Sequence, residues 1–381
     1  MNQMEIAVQI FTGGYGENKI KYETIEKKLI KMFRMMPVKK VILGWSVNQE
    51  LYKRLNNFLH RNGVESYLWL PVFSENGLLR PTDFLVDDLG QKVTSFRAKE
   101  GENFEFYCPN DSYNVRSFLE IYETYYDNLD FDGVFLDKIR YSTFSNGLSG
   151  VFNCFCSHCM EKYKEAGIDV DVLKEEMRKA RAHEAGYDKT PLKITGYQNG
   201  KYTFEEKIWE RFFQMKADSV SAAMQEITDF FRKKDKKIGL DLLSPFVAYF
   251  AGQDFERLGG MVDYIKPMMY RITNASAGLP FEYANFMKET IGEKEKKEFS
   301  MDFVESELAV AKKAPCAVYS GIDVNRIKGV VNADPKYITQ TLNSMDQQGL
   351  QGIILSWDML CAPDRNLKAI GNFLRKKGVA R

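Results

Sequence analysis

Short apolar runs recur along the chain, each followed by a polar stretch and then by apolar residues spaced three and four apart. The runs cover residues 5–11, 40–44, 66–72, 133–137, 237–243, 264–269, 317–322 and 352–357. Helical periodicity follows at 22–35, 49–62, 113–128, 204–233, 252–260, 281–291 with 305–313, 335–348 and 364–376. Strands alternating with helices imply parallel βαβ units. Eight such units predict an α/β fold of one domain over 1–381, a closed (β/α)8 TIM barrel. The rival, an open doubly wound sheet, calls for a phosphate-binding loop after the first strand. Thr12-Gly13-Gly14-Tyr15-Gly16 has neither the dinucleotide nor the P-loop spacing and reads as a turn.

Two connections are too long to be plain linkers. Residues 74–111 separate the third strand from its helix, and 142–201 separate the fourth strand from its own. The second carries a further helical pattern at 172–184 and is expected to form a small insertion subdomain. Both insertions leave the barrel at the C-terminal ends of the strands, the face on which barrel enzymes build their sites.

The fourth run carries the sharpest change of character. Val134-Phe135-Leu136 is wholly apolar, and the next residues are Asp137, Lys138, Ile139, Arg140 and Tyr141. A buried strand that ends on ionisable groups is leaving a core and entering a site. Other acids also fall at strand ends: Asp241 on the fifth strand, Asp323 after the seventh and Asp358 after the eighth. Each alone can cap the helix that follows; four on one rim suggest a shared task. Paired carboxylates suit glycosidic bond cleavage, one protonating the leaving oxygen and the other supporting the oxocarbenium-like centre. Asp137 and Asp241 are expected on adjacent strands, about 5 Å apart at the backbone, a separation suited to a retaining mechanism. Lys266, in Tyr264-Ile265-Lys266-Pro267-Met268-Met269-Tyr270, interrupts an apolar strand, and an inward lysine must meet a carboxylate or a ligand. Arg140, Tyr141 and Tyr270 complete the rim, and Trp45 and Trp357 end strands where a sugar face can stack.

Composition narrows the chemistry. The 53 basic and 52 acidic residues leave a net charge of +1, so no single-sign field exists to hold nucleic acid or an anionic membrane. The amino-terminal residues run directly into the first strand without a secretory pattern, and no stretch is long and apolar enough to span a bilayer, which points to the cytoplasm. Of three histidines, His60, His158 and His183, none ends a strand, which argues against a histidine-held catalytic metal or a Ser-His-Asp triad. Catalysis is therefore expected to need no cofactor. Cys154, Cys156 and Cys159 lie within six residues beside His158, and Cys108 closes the other insertion. In a barrel these two loops are neighbours, so the four thiolates can form a structural zinc site; the alternative is a set of reduced buried cysteines. An iron–sulfur radical centre does not fit the Cys-x-Cys-x2-Cys spacing or its place after the fourth strand. Cys316 and Cys361 read as core.

Asp132-Gly133-Val134-Phe135-Leu136-Asp137-x-Ile-Arg-Tyr followed by Cys154-Phe155-Cys156-x-x-Cys159 resembles a group of glycoside-hydrolase-like TIM-barrel proteins. Cys108-Pro109-Asn110, the segment around Lys266, and Ile354-Leu355-Ser356-Trp357-Asp358 also resemble that group, so the likeness spans most of the chain. Asp132 to Asp137 is similar to the setting of the nucleophilic Asp in alpha-amylase-like enzymes, although their fifth-strand acid is a Glu where this chain has Asp241. Chitinase-like enzymes carry a Glu where this chain has Ile139. The resemblance implies a glycoside hydrolase acting on an oligosaccharide or glycoside. Asp137 would be nucleophile or charge stabiliser, Asp241 general acid/base, and Asp358 the reserve acid. Trp45, Arg140, Tyr141, Lys266, Tyr270, Asp323 and Trp357 would bind sugar. Two other readings remain at this stage: a carbohydrate-binding barrel without turnover, and a lyase or isomerase working through Lys266. The sequence leaves the oligomeric state open.

Overall fold

The computed structural model describes residues 4–16, 20–98, 102–183, 192–291 and 299–378. Eight parallel strands close into a barrel: β1 (Glu5–Phe11), β2 (Val38–Gly44), β3 (Glu65–Pro71), β4 (Gly133–Asp137), β5 (Lys237–Leu242), β6 (Tyr264–Pro267), β7 (Ala317–Asp323) and β8 (Gly352–Ser356). Each strand pairs with its neighbours in chain order, and β8 closes on β1. The eight expected strands are all present, with ends differing by up to two residues. Helices lie outside, each laying an apolar stripe on the sheet. Gln49–Arg61, for example, buries Leu51, Tyr52, Leu55 and Leu59 and starts at Asn48, whose side chain accepts the Leu51 N–H.

Period-two alternation fills the lumen. Ala7, Ile42, Tyr67, Trp69, Phe135, Tyr264, Tyr319 and Ile354 form one buried cluster inside the barrel. Three rings need space that neighbouring strands provide. A Cβ on Gly133 would sit 2.5 Å from the Tyr67 ring, one on Gly239 2.2 Å from Tyr264, and one on Gly352 2.6 Å from Tyr319. The strands' N-terminal end is closed by polar contacts: Glu5 accepts from Lys40 Nζ at 2.7 Å and from the Tyr319 hydroxyl at 2.6 Å. The barrel is thus packed from below, and a cleft opens at the other end.

The insertion after β4 holds the helices Gly147–Val151, Ser157–Glu165 and Val170–His183, then a hairpin of Ile194–Gln198 and Lys201–Phe204. The hairpin runs past the expected boundary at 201 to Phe204. The 26-residue helix Ile208–Lys233 follows and packs between barrel and insertion. The insertion after β3 contributes short strands, Phe96–Arg97 with Asn103–Phe104, beside the β4 insertion. Asp87 and Asn153 form a bridge between the two insertions.

Candidate active site

β4 ends at Asp137, where two N–H donors meet its carboxylate. Trp69 Nε1 donates to Oδ2 at 2.9 Å and the Lys138 amide to Oδ1 at 2.5 Å. Lys138 takes a left-handed backbone conformation (φ 51°). Its buried ammonium pairs with Glu75 at 3.0 Å and Glu102 at 3.6 Å, over the rings of Trp45 and Phe104.

Asp241 lies on the adjacent strand. The β4–β5 register pairs Leu136 with Leu240, so one further step brings Asp137 opposite Asp241. Asp241 is in turn the register partner of Lys266 on β6. Lys266 is wholly buried and its Nζ donates to Asp241 Oδ2 at 2.9 Å, Gln9 Oε1 at 2.6 Å and the Tyr270 hydroxyl at 2.5 Å. Three acceptors match the three protons of an ammonium. Gln9 Nε2 donates to Asp241 Oδ2 at 3.4 Å, and Ser356 Oγ donates to Gln9 Oε1 at 2.9 Å. Asp241 Oδ1 is buried without a hydrogen-bond partner among the described residues. Burial pushes the Asp241 carboxyl up to about 7; the nearby Asp137 charge adds to the rise and the Lys266 ammonium opposes it. Burial also lowers the Lys266 ammonium, against the pull of Asp241.

A cleft with an empty volume of about 560 Å³ opens above these groups. It is lined by Trp69, Glu102, Phe104, Asp137, Lys138, Arg140, Asp241, Met268, Tyr270, Ala275, Ser276, Ala277 and Trp357. Of the residues singled out from sequence, the cleft brings together Asp137, Asp241, Arg140, Tyr270 and Trp357. Lys266 lies beneath it, behind Asp241. Trp45 is buried behind Trp69, ring centroids 5.3 Å apart. Tyr141 turns away, accepting from Asn110 Nδ2 at 3.3 Å. Asp323 accepts from the Thr273 and Tyr337 hydroxyls and the Ile272 amide, fixing the loop after β6. Asp358 caps its own turn through the Leu360 amide at 3.0 Å and accepts the Phe11 amide at 3.3 Å. Neither Asp323 nor Asp358 lines the cleft.

Sequence reasoning passed over Gln9, Trp69, Glu102, Phe104 and Ser276. Gln9 carried the same signal as Lys266, a polar residue inside an apolar strand. Trp69 stands two positions from Tyr67 and so shares its inward face. Glu102 and Ser276 come from loops and Phe104 from a two-residue strand in the β3 insertion, and none carries a periodic signal.

The cysteines of the two insertions do converge. The Sγ atoms of Cys108, Cys154, Cys156 and Cys159 all lie within 4.8 Å of one another, Cys108 being 3.5 Å from Cys156 and 3.4 Å from Cys159. Four thiolates around zinc at about 2.3 Å stand about 3.8 Å apart, so the group fits a tetrahedral ion. Asn110 Nδ2 and the Val86 amide donate to Cys159 and Cys154 at 3.2 and 3.4 Å, as expected of groups around metal-bound sulfur. His158 is half-exposed, 3.6 Å from Asp111, and is not one of the group. Cys361 is exposed and Cys316 partly so, contrary to their expected place in the core; Cys361 sits in the turn that Asp358 caps, outside the barrel wall.

No protein-family model matches the sequence, and no curated protein matches it. Solved structures do match in shape. The glycoside hydrolase domain of PgaB (BpsB) from Bordetella bronchiseptica superimposes with a TM-score of 0.58 at 14% identity, covering 97% of this chain and 98% of that one. Gan42B, a GH42 beta-galactosidase from G. stearothermophilus, gives 0.54 at 12% identity, covering all of this chain and 58% of its own. A class V chitinase from Pseudomonas fluorescens Pf-5 gives 0.51 at 12%, over 96% and 99%. At such identities the likeness establishes the fold, a (β/α)8 barrel of the kind found in glycoside hydrolases.

Proposed function

We propose that the protein is a glycoside hydrolase acting on an oligosaccharide or glycoside. The observation that carries this reading is the contrast between Asp137 and Asp241 in one cleft. Asp137 receives two N–H donors, whereas Asp241 is buried with its carboxyl raised to about 7. Two carboxyls in such different surroundings, one of them keeping its proton near neutral pH, suit general acid catalysis beside a nucleophile. The barrel neighbours, themselves named as glycoside hydrolases, support it.

In the proposed reaction the Asp137 carboxylate attacks the anomeric carbon while Asp241 gives its proton to the departing glycosidic oxygen. Asp241, now ionised, takes a proton from water, whose oxygen displaces Asp137 and completes hydrolysis. The adjacent strands, about 5 Å apart, favour this retaining course over one that must fit a water between the acids. Arg140 and Tyr270 offer hydrogen bonds to sugar hydroxyls, and Trp357 a stacking face. No catalytic cofactor enters. Lys266 is enclosed by three oxygens, which leaves no free amine for imine chemistry with a carbonyl substrate. Cys108, Cys154, Cys156 and Cys159 would hold zinc as a structural staple between the insertions. A thiolate centre of this kind persists in a reducing compartment, and we place the protein in the cytoplasm.

The test is turnover of a panel of aryl α- and β-glycosides by wild type and Asp137→Asn. The variant is expected to lose about 10²–10⁴-fold in kcat with an unchanged melting temperature. Equal turnover by both proteins rejects the assignment, and sugar binding without turnover by the wild type establishes a binding barrel instead.

A further inference from the structure

Lys216 is the one described lysine that is wholly buried without any carboxylate within ion-pair distance. It lies on the helix Ile208–Lys233 and its Nζ donates to the Val151 carbonyl at 2.7 Å. Aromatic rings enclose the rest: Tyr141 and Phe212 at 5.0 Å and Phe213 at 5.9 Å from the ammonium to ring centroids. An ammonium in such a place loses its hydration and gains one carbonyl in return, which is unfavourable unless a negative charge stands nearby. Burial pushes the Lys216 ammonium down to about 7, and the charges that oppose this fall are those of Cys154 and Cys159. Tyr141 stands between, its ring under Lys216 and its hydroxyl bonded to Asn110, which itself donates to Cys159.

Four thiolates around a divalent ion carry a net charge of −2, of which the Asn110 and Val86 donors offset only part. We propose that Lys216 is the internal counter-cation of the metal-loaded Cys108–Cys154–Cys156–Cys159 centre. The proposal rests on the reading of those thiols as a metal site. It couples metal binding to the seating of the insertion: Val151, which receives the Lys216 bond, belongs to the insertion helix Gly147–Val151. Without the ion, the negative charge that favours the protonated form of Lys216 is lost, and burial alone acts on its amine.

The test uses zinc alone on the purified full chain, stripped with a chelator and titrated against a chromophoric competitor. Wild type is compared with Lys216→Met, which keeps the volume, and Lys216→Gln, which also keeps a donor for Val151. One zinc per chain is expected for wild type, with affinity about 10- to 100-fold weaker in both variants. The metal-free Lys216→Met protein should melt at or above metal-free wild type, because a buried polar amine lacking its charge partner has been removed. A lysine serving packing alone gives the reverse: unchanged zinc affinity with lower melting temperature, metal bound or not. That result overturns the proposal. Failure of wild type to bind zinc removes the metal site itself, an outcome distinct from equal affinities in wild type and variants. If Lys216→Met does not fold, the Gln variant carries the comparison.

Discussion

Asp137 and Asp241 are the same residue type on neighbouring strands, and their surroundings differ. Asp137 accepts an indole and an amide N–H. Asp241 is buried in the cleft floor, one oxygen accepting from Lys266 and Gln9 and the other without a partner among the described residues. With its carboxyl raised from the ordinary 3.8 to about 7, Asp241 is protonated below that pH and loses its proton above it. A general acid must carry its proton, so kcat/KM is expected to fall as pH rises through about 7. Lys266 opposes the rise, so Lys266→Met should move this limb to higher pH; a limb that stays in place argues against Asp241 as the acid. In Asp241→Asn the limb should vanish. Substrates with poor leaving groups should then slow by about 10²–10⁴-fold, and activated nitrophenyl glycosides by much less. Equal slowing of both kinds would assign Asp241 to structure.

At the scale of the strand, the lumen depends on pairing large inward side chains with glycines on neighbouring strands. Gly321 on β7 is such a position. A Cβ there would sit 2.5 Å from Lys266 Cε and 3.2 Å from the Tyr270 ring. Gly321→Ala therefore forces the ammonium away from Gln9 and Asp241. The expected cost is about 1–3 kcal/mol in denaturant unfolding, with lost activity. Unchanged stability would show that Lys266 has room to move. Such pairings explain what the sequence disclosed and what it hid. Alternation and strand–helix order are local, so all eight strands were legible, and Lys266 stood out because a charge interrupted an apolar run. The place of Asp137 at the cleft was legible because the same strand passes from apolar to ionisable. The roles of Asp323 and Asp358 were not: an acid at a strand end serves cleft or cap depending on where the next loop turns, and here the Thr273, Ile272 and Leu360 donors claim them. Glu102 and Phe104 reach the cleft through a loop whose path no periodicity encodes.

Across the whole molecule, one five-residue segment joins the two centres. Asp137 and Arg140 face the cleft, while Tyr141, the next residue, packs toward the cysteines through Asn110. Arg140 Nη1 donates to the Tyr141 carbonyl at 3.1 Å, so the position of the cleft guanidinium follows the segment that the thiol centre holds. Asp137 is independent of it, fixed by β4 and Trp69. The spacing of Cys154, Cys156 and Cys159 suggested a metal site, and the order of barrel strands brings Cys108 to those thiols; the link to the cleft emerges only in three dimensions. Removing zinc should therefore act on stability and on substrate binding more than on bond cleavage. At a metal concentration about 100-fold above Kd, binding adds about 2.7 kcal/mol, which for a chain of this length is about 3 °C in melting temperature. Chelation is expected to lower Tm by about that amount and to raise KM several-fold through displacement of Arg140, with kcat nearly unchanged and both effects reversed by zinc but not magnesium. A matching loss in kcat with KM constant would mean that the thiol centre positions Asp137 instead, and an unaltered Tm and KM would separate the two centres altogether.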